Sequence, residues 1–261
     1  MKSNLLRSLS IFTALLLLVT TARAQDLSAV FKEVQAAPKS AKFAEQATRL
    51  LALAKAAPTD SAAAEALVWV VSNDPDGSEL VEQALALLAK DHGASAKLGG
   101  TFRALAELAP SVNVEKFLRA IVANNPEAEL KSSATFYLAQ TLKRQFDVLT
   151  MKLQNAQAAV DVEALEIQNG KALIAKLRAT KPAVLSAEAE KLYQQVLAGG
   201  GDAKAGRRSL SGAAKSELFE LQNLSVGRTA PETEGEDVDG KRFKLSDQRG
   251  KVVVIVFWGD W

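Results

Sequence analysis

Short amphipathic helices are the dominant pattern between residues 28 and 224. Two stretches, ELVEQALALLAKDHG and VEKFLRAIVANNP, place apolar residues at the spacing of one helix face. In the first they are Leu80, Val81, Ala84, Leu85, Leu87 and Leu88, and in the second Val114, Phe117, Leu118, Ile121 and Val122. We expect Gly93 to end the first helix as a left-handed cap, and Pro126 prevents the second from continuing. Each helix therefore has one apolar stripe to bury against a neighbour.

Further helical segments continue this arrangement. Residues 145–198 contain two longer ones, FDVLTMKLQNAQAAVDVEALEIQ and PAVLSAEAEKLYQQVLAG, and AKSELFELQNL predicts one more before the composition changes at Ser225. Between them, GGGDAKAGRRS follows no strand and has no Gly-Lys-Ser/Thr ending, which favours a linker or helix stop over a phosphate-binding loop. The sequence predicts a mainly α fold, with helical hairpins stacked side by side over residues 25–224.

A faint internal repeat accompanies the helices. Pro58 precedes Trp69 by eleven positions, and Pro126 precedes Tyr137 by the same eleven. The two prolines are 68 positions apart, which is twice the period of about 34 residues in tetratricopeptide repeats. The pattern indicates a helical-repeat-like array, but it does not assign the region to a repeat family.

After Ser225 the pattern changes from helical to β. Asp239-Gly240 is typical of a hairpin turn, and apolar residues alternate with polar ones around it at Val238, Phe243 and Leu245. Ser246-Asp247 predicts a turn or helix cap before Gly250-Lys251. The apolar run from Val252 to Phe257 is rich in β-branched residues, so we expect a strand that is buried on both faces.

The first 24 residues have the features of a secretory signal peptide. Lys2 and Arg7 precede an apolar stretch from Leu9 to Val19, and Ala22-Arg23-Ala24 has the small residues that signal peptidase requires. We expect cleavage after Ala24. The alternative is a retained membrane anchor, but this stretch is shorter than the roughly 20 residues of a bilayer span. The sequence predicts an exported protein, periplasmic or extracellular, with no stable membrane span after cleavage.

Charge and composition exclude several classes of function. Removal of the signal peptide leaves 29 basic and 30 acidic residues. This balance provides no basic field for nucleic acid, so we expect no nucleic-acid partner. The chain has no cysteine and one histidine. Disulfides are therefore impossible, and the usual ligands of zinc, copper and iron are too few for a site.

Other candidate residues have structural interpretations. His92 lies at a predicted helix end, where a cation is favourable. The acidic run lacks the spacing of a calcium loop and predicts a solvated turn, and its members are Glu232, Glu234, Glu236, Asp237 and Asp239. Aromatic residues on helix faces are expected in the core, with a partner groove as the alternative, and these are Trp69, Phe102, Phe117, Phe136 and Tyr137. The sequence thus predicts no catalytic, cofactor-binding or metal-binding residue and no cofactor.

The C-terminal pattern resembles the start of a redoxin domain. This branch of the thioredoxin superfamily includes thioredoxin-like thiol-disulfide oxidoreductases and the alkyl hydroperoxide reductase or thiol-specific antioxidant proteins. The similar positions are Gly227, Ala230, Pro231, Asp239, Gly240, Leu245, Gly250, Lys251, the apolar run, and the tip Phe257-Trp258-Gly259-Asp260-Trp261. In thioredoxin-like members Cys-x-x-Cys follows the tip directly. This sequence stops at Trp261, the position immediately before that motif. The resemblance implies that residues 225–261 are the N-terminal fragment of an incomplete thioredoxin-like α/β domain.

The resemblance also implies a chemistry. The strand would deliver a first cysteine to a helix N-terminus, where its thiolate is stabilised, and the second would resolve the mixed disulfide. Trp258 and Trp261 would wall that site. Intact relatives would act on protein disulfides or peroxides outside the cytoplasm, whereas this cysteine-free chain is expected to be inactive. The alternative is a non-enzymatic exported helical scaffold that binds a partner protein, with the C-terminal strand as a vestige.

Overall fold

The computed structural model describes residues 26–37, 42–74, 76–199, 204–205 and 208–256. The predicted signal peptide, most of the glycine cluster and the aromatic tip 257–261 lie outside these ranges. Within them are eleven α-helices. These are α1 (Leu27–Ala36), α2 (Phe43–Ala56), α3 (Ala63–Asn73), α4 (Glu79–Asp91), α5 (Phe102–Glu107), α6 (Val112–Asn124), α7 (Ala128–Asp147), α8 (Ala159–Asn169), α9 (Lys171–Arg178), α10 (Pro182–Ala198) and α11 (Leu210–Asn223).

Shorter elements complete the chain. A 3-10 helix, Ala96–Thr101, precedes α5, a π-helical turn, Val148–Leu153, follows α7, and a second 3-10 helix covers Leu245–Gln248. Strands β1 (Lys204–Ala205) and β2 (Arg208–Ser209) pair antiparallel, as do β3 (Glu234–Glu236) and β4 (Arg242–Lys244). The prediction of a mainly α fold is confirmed.

Most helices pack on the next helix in sequence or the next but one, and α7 also packs closely on α10 although two helices separate them. Helix α2 contacts α1, α3 and α4, while α4 contacts α3 and α6. Further on, α7 lies against α6 and α10, and α11 closes the series on α10 and α7. One continuous hydrophobic core extends from Leu27 to Leu221. An array of this kind follows from single apolar stripes, because each helix must find a second helix to cover its stripe.

The two helices predicted from the clearest stripes are confirmed. Helix α4 buries Val81, Ala84, Leu85 and Leu88, and α6 buries Val114, Phe117, Leu118 and Ile121. The predicted aromatic core is also present, since Phe102, Phe117, Phe136 and Tyr137 are all buried. Trp69 is half-buried and stacks on Phe43 with ring centroids 5.7 Å apart. These aromatic side chains therefore serve packing, and four of them are not accessible to a partner.

The long helix predicted across residues 146–168 is wrong. The chain leaves the helix after the π-helical turn, and α8 begins only at Ala159. The side-chain amide of Asn155 donates to the carbonyls of Thr150 and Met151, which satisfies groups at the end of the first segment. The carboxylate of Asp161 accepts from the backbone N–H groups of Gln157 and Ala158, which fixes the start of the next. Local capping therefore interrupts a stretch whose residues favour helix throughout.

Gly93 does not form the expected left-handed cap. Its φ lies outside the positive range, and α4 ends instead through a bond from the His92 N–H to the Leu88 carbonyl. A Cβ at Gly93 would lie 3.0 Å from the carbonyl oxygen of Ala120 on α6. The glycine therefore permits close approach of two backbones, which is a packing role.

We predict that Gly93→Ala destabilises the protein by about 1–3 kcal/mol, because the added methyl group must push α6 away from the end of α4. Chemical denaturation followed by circular dichroism would measure this loss. Gly199→Ala is a matched control at the end of α10, where a Cβ would meet its nearest atom at an ordinary 3.4 Å. Equal stabilities of the two variants would contradict the packing role.

Candidate functional site

The predicted hairpin forms between β3 and β4. Glu234 pairs with Lys244, Gly235 with Phe243, and Glu236 with Arg242. Ion pairs of 2.6 Å and 3.3 Å join the first and last of these cross-strand pairs. The Phe243 ring covers the central pair, since a Cβ at Gly235 would lie 3.0 Å from its Cζ atom. Charged pairs at both ends and a ring at the centre thus set the register.

Asp237 organises the turn of this hairpin. Its carboxylate accepts from the N–H groups of Asp239 at 3.0 Å and Lys241 at 2.9 Å. Gly240 has φ +76°, a conformation that suits glycine, and its N–H donates to the Asp237 carbonyl. The Asp239-Gly240 turn is therefore confirmed. Val238 is not part of a strand as predicted, because it lies at the fully exposed tip of the loop.

The segment after the hairpin folds back onto the segment before it. The N–H of Leu245 donates to the Thr233 carbonyl at 2.9 Å, and the N–H of Ser246 donates to the Glu232 carboxylate at 3.0 Å. Hydrogen bonds from Ser246 and from the Thr233 backbone lower the pKa of Glu232 below its usual range. The Asp247 carboxylate accepts from the Lys244 N–H, which confirms the predicted cap. Four of the five residues in the acidic run thus have local partners.

The strand predicted from Val252 to Phe257 is not formed in the described part. Residues 252–256 have no sheet partner, and the exposures of Val252, Val254 and Val256 are 97%, 82% and 72%. Val253 and Ile255 are less exposed, at 43% and 48%. The side chains thus alternate as in a strand, but a strand needs a hydrogen-bonded neighbour. Phe257, Trp258 and Trp261 lie outside the described residues.

The C-terminal segment, defined here as residues 225–256, contributes nothing to the core. None of its residues is buried, and the last buried side chain of the helical array is Leu221. Arg228 connects the two parts through an ion pair of 2.9 Å with Glu190 on α10. The Ser225 hydroxyl also donates to the Glu220 carbonyl of α11 at 3.5 Å. The segment is therefore attached to the array by polar contacts near its beginning.

A buried polar network crosses the helical array, and the sequence did not predict it. The Glu115 carboxylate accepts hydrogen bonds from three side chains: Arg119 Nε at 3.0 Å, Gln145 Nε2 at 2.8 Å, and Lys176 Nζ. Lys176 also donates to Gln145 Oε1 at 3.1 Å. The guanidinium of Arg119 continues with two bonds to the Glu188 carboxylate, of 2.7 Å and 3.0 Å. Helices α6, α7, α9 and α10 each contribute to this network.

Every polar group in the network has a partner. Burial raises the pKa of Glu115, but bonds from Lys176, Gln145 and Arg119 outweigh it, so the pKa lies below its usual range. Gln145 is fully buried, and the Glu115 side chain is 11% exposed. The ionised Glu115 carboxylate accepts hydrogen bonds from three side chains, which leaves it no free position for a substrate. Its role is therefore that of a clamp, which holds the helices together. The only sign of this network in the sequence is the position of Glu115 at the edge of the apolar stripe of α6.

His92 is half-buried at the end of α4, as predicted. Burial lowers its pKa against the opposing charge of Asp91. This shift favours the neutral imidazole, so it gives no support to a cation at this helix end. The backbone N–H of His92 donates to the Leu88 carbonyl at 3.0 Å, a bond that any residue except proline could make at this helix end.

A groove of about 510 Å³ lies between the start of α4, the connection before α6, and the junction of α8 and α9. Three carboxylates line it, from Asp76, Glu79 and Glu82, together with the ammonium of Lys116. Within the described ranges no group of histidine, aspartate or glutamate side chains is arranged to hold a metal ion. No helix in the described part of the chain has the length and apolar character needed to cross a membrane.

A stretch of the chain is similar to thiol-disulfide oxidoreductases. ResA of Bacillus subtilis is 48% identical over 40 residues, which cover 15% of this chain and 22% of the relative. ResA of Bacillus anthracis is 35% identical over 57 residues, which cover 20% of this chain and 33% of the relative. ResA of Geobacillus thermodenitrificans is 45% identical over 38 residues, which cover 15% of this chain and 22% of the relative. The chain thus spans about a fifth to a third of the length of these curated relatives. No family profile matches the chain, and no solved structure matches it significantly.

Proposed function

We propose that residues 225–261 are the N-terminal part of a thioredoxin-like redoxin domain, in an exported protein of the thiol-disulfide oxidoreductase class. The local similarity to ResA proteins carries this proposal. The order of features supports it: a short hairpin closed by Asp239-Gly240, a turn that ends at Gly250, and an apolar β-forming run. We place the similarity over this segment and the residues next to it, because no other part of the chain has that order and the matches are 38 to 57 residues long.

The chemistry of the class requires a sulfur nucleophile. A thiolate attacks one sulfur of a disulfide, and the other sulfur leaves as a thiolate. This chain has no cysteine at any position. The role of its C-terminal segment is therefore to supply the first hairpin and strand of the domain, and the sulfur chemistry depends on cysteines that the sequence does not contain.

We further propose that the helical region, residues 25–224, binds a partner protein after export. Four of the aromatic candidates are buried, so a groove lined by them is not available. The acidic groove beside α4 offers instead three carboxylates to a basic partner segment. For the intact form, the resemblance implies a protein disulfide or a peroxide as the substrate.

A segment exchange tests the proposed redoxin relationship. In ResA of Bacillus subtilis, the stretch that aligns with this chain is replaced by the aligned residues of this chain. We expect the chimera to reduce insulin disulfides at a rate within about tenfold of the parent, because the exchanged hairpin and strand leave the parent cysteines in place.

A chimera that receives a piece of equal length from α8 to α10, residues 159–198, is the control, and it should be unfolded and inactive. If the two chimeras have the same activity, the segment is not a redoxin hairpin and strand. The helical scaffold would then be the better account of the chain. The chain itself, without a thiol, is expected to show no turnover in the same assay.

A further inference from the structure

Helix α8 has a second apolar stripe, which faces solvent. The helix packs mainly on α9, and its inner face buries Leu165 and Asn169. Val160, Ala164 and Ile167 are four and three positions apart and share the outer face. Val160 is 67% exposed and Ile167 81%, which is the highest value for a large apolar side chain in the described α-helices. Helix α8 therefore presents an apolar face that has no partner helix in the described part of the chain.

This outer stripe ends at the acidic groove beside α4. Ile167 lines the groove together with three apolar residues whose side chains are buried, Leu108, Pro110 and Leu173. The first two come from the connection before α6, and the third from α9. The outer stripe of α8 and the apolar part of the groove are therefore continuous through Ile167.

The charged part of the groove lining is mainly negative. Asp76, Glu79 and Glu82 stand against one ammonium, that of Lys116, and within the described ranges none of these four residues is in an ion pair. The Glu82 carboxylate accepts a hydrogen bond from the Asn113 amide at 2.9 Å, which fixes it to the groove wall. The groove thus has an excess of negative charge, which a basic segment would complement.

We propose that the outer stripe and the groove form one docking surface for a segment of a partner protein in which a large apolar side chain lies between lysine or arginine residues. The apolar side chain covers Ile167 and the apolar lining, and the basic residues face Asp76 and Glu79. An acidic segment is rejected, because it would bring like charges together. This inference rests on the proposed binding of a partner by the helical region, and it states the chemistry of that partner.

Fluorescence anisotropy of labelled peptides with the full chain tests the apolar contact. The probe repeats Lys-Leu-Lys, and a second peptide that repeats Lys-Ser-Lys should bind more weakly. We expect Ile167→Ser to weaken binding of the probe about fivefold, because less apolar area is removed from water. Val184→Ser is the matched control, since Val184 on α10 is 56% exposed and does not line the groove. Both variants should keep the native circular dichroism, because both side chains are exposed.

Asp76→Asn with Glu79→Gln tests the charges in the same assay. Binding of the Lys-Leu-Lys peptide should weaken about three- to tenfold, as expected for the loss of two exposed charge contacts. Glu127→Gln with Glu129→Gln is the control, because it removes two exposed carboxylates at the start of α7 that do not line the groove. A peptide that repeats Glu-Leu-Glu should not bind the native chain.

The docking surface is refuted if Ile167→Ser binds the probe like Val184→Ser, or if the charge variant binds it like its own control. Probe binding that survives both groove variants would mean that the partner site lies elsewhere on the array, so partner binding would stand while this surface fails. If the native chain binds none of the peptides, this surface and the basic partner proposed for the groove fail together. The redoxin relationship is independent of these outcomes, because the segment exchange with ResA tests it.

Discussion

Lys176→Met is expected to lower the free energy of unfolding by about 3 kcal/mol at pH 7, because it leaves the Glu115 carboxylate buried without its ammonium. Glu115 is 11% exposed, and the remaining partners, Arg119 and Gln145, cannot replace that charge, since Arg119 is also paired with Glu188. Because Lys176 is itself 34% exposed, we expect the loss of stability to lie at the lower end of the range for breaking a buried ion pair. Urea denaturation followed by circular dichroism would measure it.

Two further variants separate loss of charge from loss of packing. Lys191→Met removes an exposed lysine of α10 and should change stability by less than about 0.5 kcal/mol. The triple variant Glu115→Leu, Gln145→Leu and Lys176→Met should recover most of the loss, because neither an unpaired charge nor an unpaired amide remains buried. If Lys176→Met is as stable as Lys191→Met, the network has no role as a clamp.

The same network predicts how the free energy of unfolding changes with pH. The folded-state pKa of Glu115 is below its usual range, so its contribution is complete above the unfolded value of about 4.3 and is lost as the pH falls through the folded value. The difference between the native chain and Lys176→Met should therefore shrink on acidification below pH 4.5. A difference that grows in acid would contradict an ionised Glu115 in the native state.

The second large effect concerns association through residues 252–256. Val252, Val254 and Val256 are strongly exposed, and the backbone around them has no partner in the described part of the chain. Unpaired β-forming segments of this kind pair with copies of themselves. We expect the chain to self-associate, and Val254→Lys with Val256→Lys to weaken this association more than about tenfold. Light scattering across a range of concentrations would measure it.

Val160→Lys tests whether any exposed valine has this effect, because Val160 is 67% exposed and lies in helix α8, away from the C-terminal segment in sequence. It should leave association unchanged. Removal of residues 225–261 should also abolish association and keep the helical circular dichroism, since none of the described residues in that part is buried. Unchanged association after removal would show that the helical array itself associates.

The apolar stripes of the helices and the residues of the hairpin turn made much of the fold predictable from the sequence. Helices α4 and α6 follow from apolar spacing within one helix, and the hairpin turn follows from Asp239-Gly240. These signals are local, because the interacting residues are a few positions apart. The break before α8 is local too, but it depends on the capping bonds of Asn155 and Asp161, which compete with residues that favour helix.

The remaining features depend on distant partners. Glu115 meets Gln145 and Lys176, which are 30 and 61 positions away, so nothing near it in sequence announces its burial. The register of the hairpin likewise requires cross-strand pairs that a turn signal alone does not specify. The apolar run from Val252 was recognised as β-forming, but propensity cannot supply the neighbouring strand that makes it a strand.

Packing between sequence neighbours has a consequence for how the chain folds. Because most helices of the array contact a helix near them along the chain, most of the loops that must close are short, and only the packing of α7 on α10 and the buried network close longer ones. The first helices can pair without waiting for the later ones. The bond between Glu115 and Lys176 spans 61 positions, so it forms only after α9 has emerged. The network therefore forms late in folding, when it joins the already collapsed N-terminal helices to the helices that follow.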